Sequence, residues 1–569
     1  MNRKIFRLPL KAIVFFLVVF SFLYPEELET PAEKVRYTAY TQYEELSRFL
    51  STIDQVSPQM NVGIVGRTLR TRRYPDRDLY LCIITEEGAA SPEELNRMKP
   101  TFLIVSSQHG NEQSAKEAAL WLIRDLTTGE LKPLLKKINF LIIPQANPYG
   151  NFFDQRRNEQ DLDLNRDHVK LESPEVETIH RIFRQWMPEI TMDVHEKGDG
   201  YYRVSIGCVS NVNIHQNLRN FSRNIILKEV EKELQEKKIT FHEYLITQPM
   251  GIDSSAGVSY RNEDSREREM MKRYSTTDLN DGRNSLGIYE TLSFIQEGAS
   301  RHDIETLAER TRWQYWGIRS FSESIARHAD EIRNMVRSFR KDLVEKAKIY
   351  TADNLVHLRM EYVRDSTQPT LTIKKFVRSE SPIRGILKND KKAGEPLTAD
   401  DIAPYPFPSY SKVEEEVVRN WFSLVKPTLS ISRPLGYIIP ASHFKVVEIL
   451  LRHGIQVGVF TKDSRIDVEA YQINEIKPAE YDYLPPEKIE VVNYTMESIV
   501  KKGDYYIPCA QEAANLIPCL LEPQSQYGLI RYWNLQLVPE KGDVFPFYRV
   551  TRVQELPWIP FKNWRIRLP

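Results

Sequence analysis

His109 and Glu112 stand three residues apart in the sequence QHGNE, so both side chains can lie on one side of a turn. Imidazole nitrogens and carboxylate oxygens are the ligands of zinc sites that keep one position open for water, as hydrolases require. The pair follows the apolar run Thr101 to Ser106, which predicts a buried strand. In parallel sheets, ligands bind beyond the carboxyl ends of the strands. We therefore interpret His109 and Glu112 as candidate metal ligands.

A third ligand is expected at the end of another strand. His195 lies in the sequence DVHE directly after the apolar run Glu189 to Met192, so it occupies an equivalent edge of the sheet. His180 falls in the middle of a helix-period pattern, and His168 falls in a loop. We favour His195 over both alternatives.

A stretch rich in asparagine and arginine separates these anchors. It contains the turn sequence QANPYG and, further on, Arg156, Arg157, Asn165 and Arg166. A guanidinium group binds a carboxylate through two parallel hydrogen bonds, so this loop is suited to gripping a carboxylate and polarising a carbonyl. Taken without the candidate ligands, such a loop would be interpreted as a solvated charged loop.

The combination of motifs resembles the M14 family of zinc metallocarboxypeptidases. The family combines His-x-x-Glu, Asn-Pro-x-Gly, Arg-x-Asn, Asp-Leu-Asn-Arg and a later strand-end histidine in the order seen here, over residues 36 to 345 approximately. The resemblance implies one Zn²⁺ per chain, bound by His109, Glu112 and His195. It also implies that Asp163 orients His109 and fixes its tautomer.

The resemblance also assigns the arginine-rich loop. Arg156, which begins Arg-x-Asn, would polarise the scissile carbonyl, with Arg157 as the alternative. Asn165 and Arg166 would hold the free C-terminal carboxylate of a peptide or amide substrate.

The general base is expected on a later strand. The pattern Ser-Phe-x-x-Glu ends at Glu297, which would take a proton from the attacking water and pass it to the leaving amine. Glu290, seven residues earlier, is the alternative. Tyr274 and Tyr289 are candidates for the substrate-binding tyrosine of the family.

Alternating strands and helices must position these residues. Nearly continuous apolar strands such as FLIV and FLII are typical of a sheet covered on both faces. We predict an α/β fold of the metallocarboxypeptidase type, with a mixed, mostly parallel sheet flanked by helices. The predicted strands are 61–66, 78–84, 101–106, 138–144, 189–194 and 288–295, and the predicted helices are 43–53, 113–126, 174–186, 213–238 and 304–348.

The character of the chain changes near residue 350, where short β-type runs alternate with proline-rich connections. We predict a catalytic domain at residues 36–348 and a β-rich, α+β C-terminal domain of unknown role at residues 350–569, with a helix at 444–453. The stretch containing Cys509 and Cys519 has a helical pattern, and all four cysteines are expected to be free or buried thiols.

Composition excludes some partners and indicates an export route. Basic and acidic residues balance at 78 each, which gives no electrostatic reason to expect nucleic acid. Residues 1–25 combine basic residues with the apolar run Ala12 to Tyr24, too short for a membrane span of about 20 residues. We predict a signal peptide and a secreted, periplasmic or cell-surface protein, which contacts a membrane only if this segment stays uncleaved as an anchor.

The leading hypothesis is an exported zinc carboxypeptidase. A zinc amidase or deacylase that acts on cell-wall peptides or acylated amino acids would use the same chemistry. An inactive zinc-binding surface protein is the third hypothesis, and the intact set of ligands, arginines and Glu297 argues against it.

Overall fold

The computed structural model describes residues 28–197, 202–249, 269–299, 307–379, 383–387, 402–406 and 409–562, so the predicted export segment lies outside the described residues. Up to residue 348 the strands are β1 (Met60–Arg67), β2 (Asp78–Ile84), β3 (Thr101–Ser106), β4 (Asn139–Ile143), β5 (Ile190–Lys197), β6 (Val204–Cys208), β7 (Phe241–Glu243), β8 (Leu245–Pro249), β9 (Met270–Tyr274) and β10 (Leu292–Ala299). The helices are α1 (Pro31–Lys34), α2 (Tyr43–Val56), α3 (Gln113–Thr127), α4 (Pro148–Phe152), α5 (Pro174–Trp186), α6 (Gln216–Phe221), α7 (Leu227–Glu236), α8 (Gly282–Gly287), α9 (Leu307–Arg327) and α10 (Ala329–Lys346).

Eight strands form the central sheet in the order β1-β2-β4-β3-β5-β10-β6-β7. The four central strands β4, β3, β5 and β10 run parallel, whereas β1, β2 and β6 add antiparallel pairs toward the edges. Every residue of β3, β4 and β10 is buried, as strands covered by helices on both faces require. The predicted mixed, mostly parallel sheet is confirmed.

Three predicted elements need correction. The strand expected at 288–295 begins only at Leu292, because residues 288–290 form a turn after helix α8, in which Glu290 has a φ of 55°. The helix expected at 304–348 is broken at His328, which lies between α9 and α10. The helix expected at 213–238 begins at Gln216 and contains a π-helical turn at Ser222–Ile226.

The remainder of the chain is β-rich, as predicted. Its strands are β11 (Leu355–Val363), β12 (Leu371–Ser379), β13 (Ile383–Leu387), β14 (Ile402–Pro406), β15 (Ser409–Val418), β16 (Trp421–Phe422), β17 (Leu424–Ser432), β18 (Gly436–Ile439), β19 (Gly458–Phe460), β20 (Ser464–Lys477), β21 (Lys488–Val500), β22 (Tyr505–Pro508), β23 (Tyr548–Val550) and β24 (Trp558–Pro560). Its helices are α11 (Phe444–Arg452) and α12 (Leu516–Leu521). Seven of the strands form an antiparallel sheet in the order β21-β20-β23-β18-β22-β19-β24.

The C-terminal region packs directly on the first. Strand β16 pairs in parallel with β9, and one continuous hydrophobic core extends from α2 through the central sheet to α12. All four cysteines are free and buried, as predicted. In the stretch that contains Cys509 and Cys519, only Leu516–Leu521 is α-helical. Within the described residues, no helix combines the length and the apolar character needed to cross a membrane.

Gly110, between the first two candidate ligands, packs against the backbone of α4. A Cβ built on Gly110 would lie 1.9 Å from the carbonyl carbon of Gly150, and a backbone cannot move aside as a flexible side chain can. The substitution Gly110→Ala should therefore lower the free energy of unfolding by about 1–3 kcal/mol through overpacking. The change is measured by thermal or chemical denaturation.

Gly63→Ala is the matched control, since the nearest atom to its Cβ is Val65 Cγ1 at 3.9 Å. Its stability should stay within about 0.5 kcal/mol of the wild type. Equal effects of the two alanine substitutions would contradict the proposed close packing at Gly110.

Candidate active site

His109, Glu112 and His195 converge at the carboxyl ends of the neighbouring strands β3 and β5. The chain leaves β3 through Ser107, whose φ of 60° turns it out of the sheet toward His109. One potential ligand atom from each residue lies within 4.8 Å of the others. All three side chains are buried. The structure thus brings the three predicted ligands into one group.

Hydrogen bonds to the far side of each imidazole determine which nitrogen faces the centre. His109 Nε2 lies 3.0 Å from Asp163 Oδ1, and His195 Nε2 lies 2.6 Å from Asp193 Oδ2. A carboxylate accepts only, so each Nε2 donates and each Nδ1 is left with a lone pair. The same arrangement is the usual support of a metal-binding histidine.

The two Nδ1 atoms lie 3.0 Å apart, and each lies 2.8 Å from an oxygen of Glu112. Two lone pairs and a carboxylate therefore face one another in a buried space. Such a donor set repels itself unless a cation lies between its members, and His₂Glu is a known catalytic zinc set. The residues present fit a zinc ion.

The electrostatics of the group agree with this fit. Burial alone would raise the pKa of Glu112, but His109 and His195 hold it below its usual range. Burial alone would lower the pKa of His195, but the carboxylates of Asp193 and Glu112 raise it above its usual range. The carboxylates thus dominate the local field and favour positive charge at the centre.

A buried ion pair supports the group from the other face of the sheet. Arg310 of α9 contacts both carboxylate oxygens of Glu196, at 3.0 and 2.9 Å. The backbone N–H of Glu196 donates to Glu112 Oε2 at 3.1 Å, and Gln314 donates to the backbone oxygen of His195 at 2.6 Å. Helix α9 therefore fixes the end of β5 that carries the histidine.

Arg156 lies over the group, whereas Arg157 points away. Arg156 Nε donates to Asp163 Oδ2 at 2.8 Å, and its Nη1 lies 3.8 Å from Glu112 Oε1. Its side chain is 43% exposed, so it can reach a bound molecule. Arg157 Nη1 donates to the backbone oxygen of Asp161 at 2.6 Å on the exposed side of the loop.

Asn165 and Arg166 lie beside His195. Asn165 Oδ1 accepts from the backbone N–H of Gly282 at 2.9 Å, and Arg166 Nη1 donates to the backbone oxygen of Asn165 at 2.7 Å. The Nε of Arg166 is buried, and no group in the described part of the chain forms a hydrogen bond with it. Asn165 Nδ2 lies 3.3 Å from His195 Nε2, a contact only, since that nitrogen's hydrogen points to Asp193.

Glu297 lies directly beside His195, because β10 and β5 are parallel and pair these two residues in register. Glu297 is buried, and its Oε2 has no hydrogen-bond partner among the residues that the structure describes. Burial, with the neighbouring Glu112 carboxylate, raises the pKa of Glu297 to about 7. Such a carboxyl group is suited to accept and return a proton near neutral pH.

Part of the chain matches a family of known proteins. Residues 47–190 match the zinc carboxypeptidase family, peptidase M14. Within this segment, the chain resembles the M14 zinc carboxypeptidases. It is 23% identical over 464 residues to Carboxypeptidase 2 of Trichophyton tonsurans, covering 78% of this chain and 75% of that protein. It is 23% identical over 485 residues to Carboxypeptidase 2 of Trichophyton rubrum, covering 81% and 79%.

Among solved structures, a putative carboxypeptidase A from Shewanella denitrificans is similar, with a TM-score of 0.38 and 21% identity. That comparison covers 51% of this chain and 70% of the other.

The alternative base Glu290 lies at the opposite end of the sheet, before β10 begins. Its carboxylate accepts from the backbone N–H of His215 at 2.8 Å and from Asn515 Nδ2 at 3.1 Å. Tyr289 is buried, with its ring 5.3 Å from that of Phe183, and is placed away from the candidate metal ligands. Tyr274 is buried in β9.

Sequence reasoning missed Asp193 as a partner of the metal site. Its position two residues before His195 was the available signal, since alternate residues of a strand share one face. Gln108 was also missed, although it adjoins His109 and donates to Asp193 Oδ2 at 2.7 Å.

Glu290 generates a prediction about stability rather than catalysis. Burial raises the pKa of Glu290 to about 7, whereas an unfolded glutamate titrates near 4.5. As pH rises between these values, the unfolded chain loses its proton first, so wild-type stability falls. The substitution Glu290→Gln removes this loss while costing one hydrogen bond at every pH. The free energy of unfolding of the variant relative to wild type should rise by on the order of 1–3 kcal/mol from pH 5 to 7, then level off.

Denaturation of both proteins at pH 5, 6, 7 and 8 measures this difference. A difference that stays constant across the series would show that the Glu290 carboxyl is not protonated in the folded chain.

Proposed function

We propose that the chain is an exported zinc carboxypeptidase that hydrolyses the last peptide bond of substrates with a free carboxylate. The observation that carries the proposal is the convergence of two imidazole lone pairs and a buried carboxylate beside Glu297, one oxygen of which has no partner among the described residues. The match of residues 47–190 to the zinc carboxypeptidase family supports the same reaction class.

His109, Glu112 and His195 would hold one zinc ion per chain. A zinc ion in such a site supplies a Lewis acid that polarises the carbonyl and makes water a stronger nucleophile. Asp163 and Asp193 keep the Nδ1 atoms of both histidines free for it.

Glu297 accepts the proton of the attacking water and returns it to the leaving amine. Its burial and raised pKa suit both steps near pH 7, because the group can exist in either protonation state. Arg156 donates hydrogen bonds to the oxygen of the scissile carbonyl, where negative charge develops. Its ion pair with Asp163 keeps the guanidinium over the ligands.

Asn165 and Arg166 bind the terminal carboxylate of the substrate. The side-chain amide of Asn165 supplies a donor next to His195. The Nε of Arg166, which has no partner within the described residues, supplies another. A charge-assisted bond to a carboxylate would satisfy that buried nitrogen. We propose residues 36–348 as the catalytic domain.

Export rests on residues 1–25, whose basic start and short apolar run are typical of a signal peptide. We propose a secreted, periplasmic or cell-surface location.

The role of Glu297 is tested by Glu297→Gln. Zinc content, measured on the purified protein, should stay at one ion per chain because Glu297 is not a ligand. Release of C-terminal residues from a peptide panel should fall about 10²–10⁴-fold, as expected for loss of a general base. Glu290→Gln, the same change at the far end of β10, is the matched control and should keep wild-type turnover.

Each outcome separates the hypotheses. A wild type that binds zinc but releases no residue from any peptide points to an amidase or deacylase, or to an inactive protein if amides are also left intact. Wild-type turnover in the Glu297→Gln variant would exclude Glu297 as the base.

Recognition of the carboxylate is tested by comparing peptides with free and amidated C-termini. The wild type should cleave the free peptide far faster, and Arg166→Met should lose about 1.5–3 kcal/mol of this discrimination with the charge-assisted bond. Arg327→Met, which removes an exposed arginine paired with Glu229 at 2.7 Å, is the control. Unchanged discrimination in Arg166→Met would place the carboxylate site elsewhere.

A further inference from the structure

A buried chain of hydrogen bonds leads away from the carboxylate that supports His195. Gln108 Nε2 donates to Asp193 Oδ2 at 2.7 Å, and its Oε1 lies 2.9 Å from His168 Nε2. His168 Nδ1 in turn lies 3.0 Å from His180 Nε2. All five side chains are buried.

The donors and acceptors of these side chains give the chain of hydrogen bonds one direction. Because Asp193 accepts only, the amide nitrogen of Gln108 faces it, and the amide oxygen faces His168. His168 must therefore donate from Nε2 and accept at Nδ1, and His180 must donate to it. Every N–H in the chain points toward Asp193.

Burial keeps these histidines neutral, as the directed chain requires. It lowers the pKa of His168 to about 4 and the pKa of His180 well below its usual range. A neutral imidazole has one donor and one acceptor, so it can relay the direction of the bonds.

The C-terminal region forms hydrogen bonds with the three residues that follow His168. His453 Nε2 donates to the backbone oxygen of Val169 at 2.8 Å, and its ring lies 5.2 Å from that of His180. Lys170 Nζ donates to Tyr483 at 3.2 Å. Arg452 Nη1 donates to the backbone oxygen of Leu171 at 3.3 Å.

We infer that the C-terminal region helps to position the metal ligand His195. By holding residues 168–171 it positions His168, which orients Gln108 and, through Asp193, keeps the His195 Nδ1 directed at the metal. His168, Gln108 and His453 are positioning residues. The inference rests on the proposed metal site and adds a role for the C-terminal region.

The physical reason is the cost of leaving a buried amide without its partner. Without a donor at His168, Gln108 Oε1 is left buried without that partner, and the amide is held only through its bond to Asp193. The side chain of Gln108 can then shift, and the donor that fixes Asp193 shifts with it. Loss of such outer partners typically weakens metal binding by 10–100-fold.

The test uses the full-length protein and Co²⁺ as the probe, since its visible spectrum reports on coordination. The dissociation constant is measured by competition with a chelator. His168→Phe and Gln108→Met should each raise it about 10–100-fold and alter the spectrum. His168→Gln, which keeps a donor for Gln108, should recover part of the affinity.

His453→Phe should raise the dissociation constant less than His168→Phe does. The double variant should bind Co²⁺ no more weakly than His168→Phe alone, because both residues act through one chain of hydrogen bonds. His443→Phe, at the other end of α11, is the matched control and should bind as wild type does. Melting temperatures measured without metal separate loss of fold from loss of positioning.

Gln108→Met is the deciding variant if His168→Phe does not fold. If Gln108→Met keeps the affinity and the spectrum of the wild type, the inference is wrong. Weak binding in Gln108→Met together with unchanged binding in His453→Phe would remove the C-terminal region from it. A wild type that binds no Co²⁺ would instead contradict the proposed metal site.

Discussion

The structure depends on the repulsion among three buried polar groups at the ends of β3 and β5. Two imidazole lone pairs 3.0 Å apart and a carboxylate repel one another in a buried site unless a cation lies between them. Their support is therefore built from several directions, by Asp163 from the loop, Asp193 from β5 and the Glu196–Arg310 pair behind the sheet. Each support restrains a group that would otherwise move away from the others.

This constraint gives the C-terminal region a reason to pack where it does. A histidine held by a carboxylate is only as fixed as that carboxylate, and Asp193 is fixed by Gln108 and His168. The loop that carries His168 is held within its own region by Asp167, which accepts from the backbone N–H groups of Glu172 and Ser173, and by Asn280, which accepts from the N–H of Val169. Bonds with His453 and Tyr483 add a restraint from a part of the chain about 300 residues away in sequence.

Sequence patterns predict the parts of this site that depend on neighbouring residues or on motif spacing. They do not predict contacts between residues far apart in the sequence. Apolar runs predicted the strands of the central sheet, and motif spacing brought His109, Glu112 and His195 into one group, because those signals are local or belong to the M14 pattern. The start of β10 was misplaced, since Ile288 and Tyr289 are apolar but lie in the turn that follows α8. The contact of His168 with Gln108 has no local signal, and His168 was interpreted only as a competing ligand.

Register explains why Glu297 and not Glu290 lies beside the candidate metal ligands. Parallel pairing of β10 with β5 sets Glu297 opposite His195, and the two side chains share one face of the sheet. A slip of one residue would turn Glu297 to the opposite face, toward α9, and a glutamate seven residues earlier lies on the order of 20 Å away along an extended chain. The sheet therefore needs both its parallel order and its pairing at β5 and β10 to place the carboxyl group of Glu297 next to His195. Burial on both faces of these strands makes any other pairing costly, since it would exchange apolar residues for charged ones in the core.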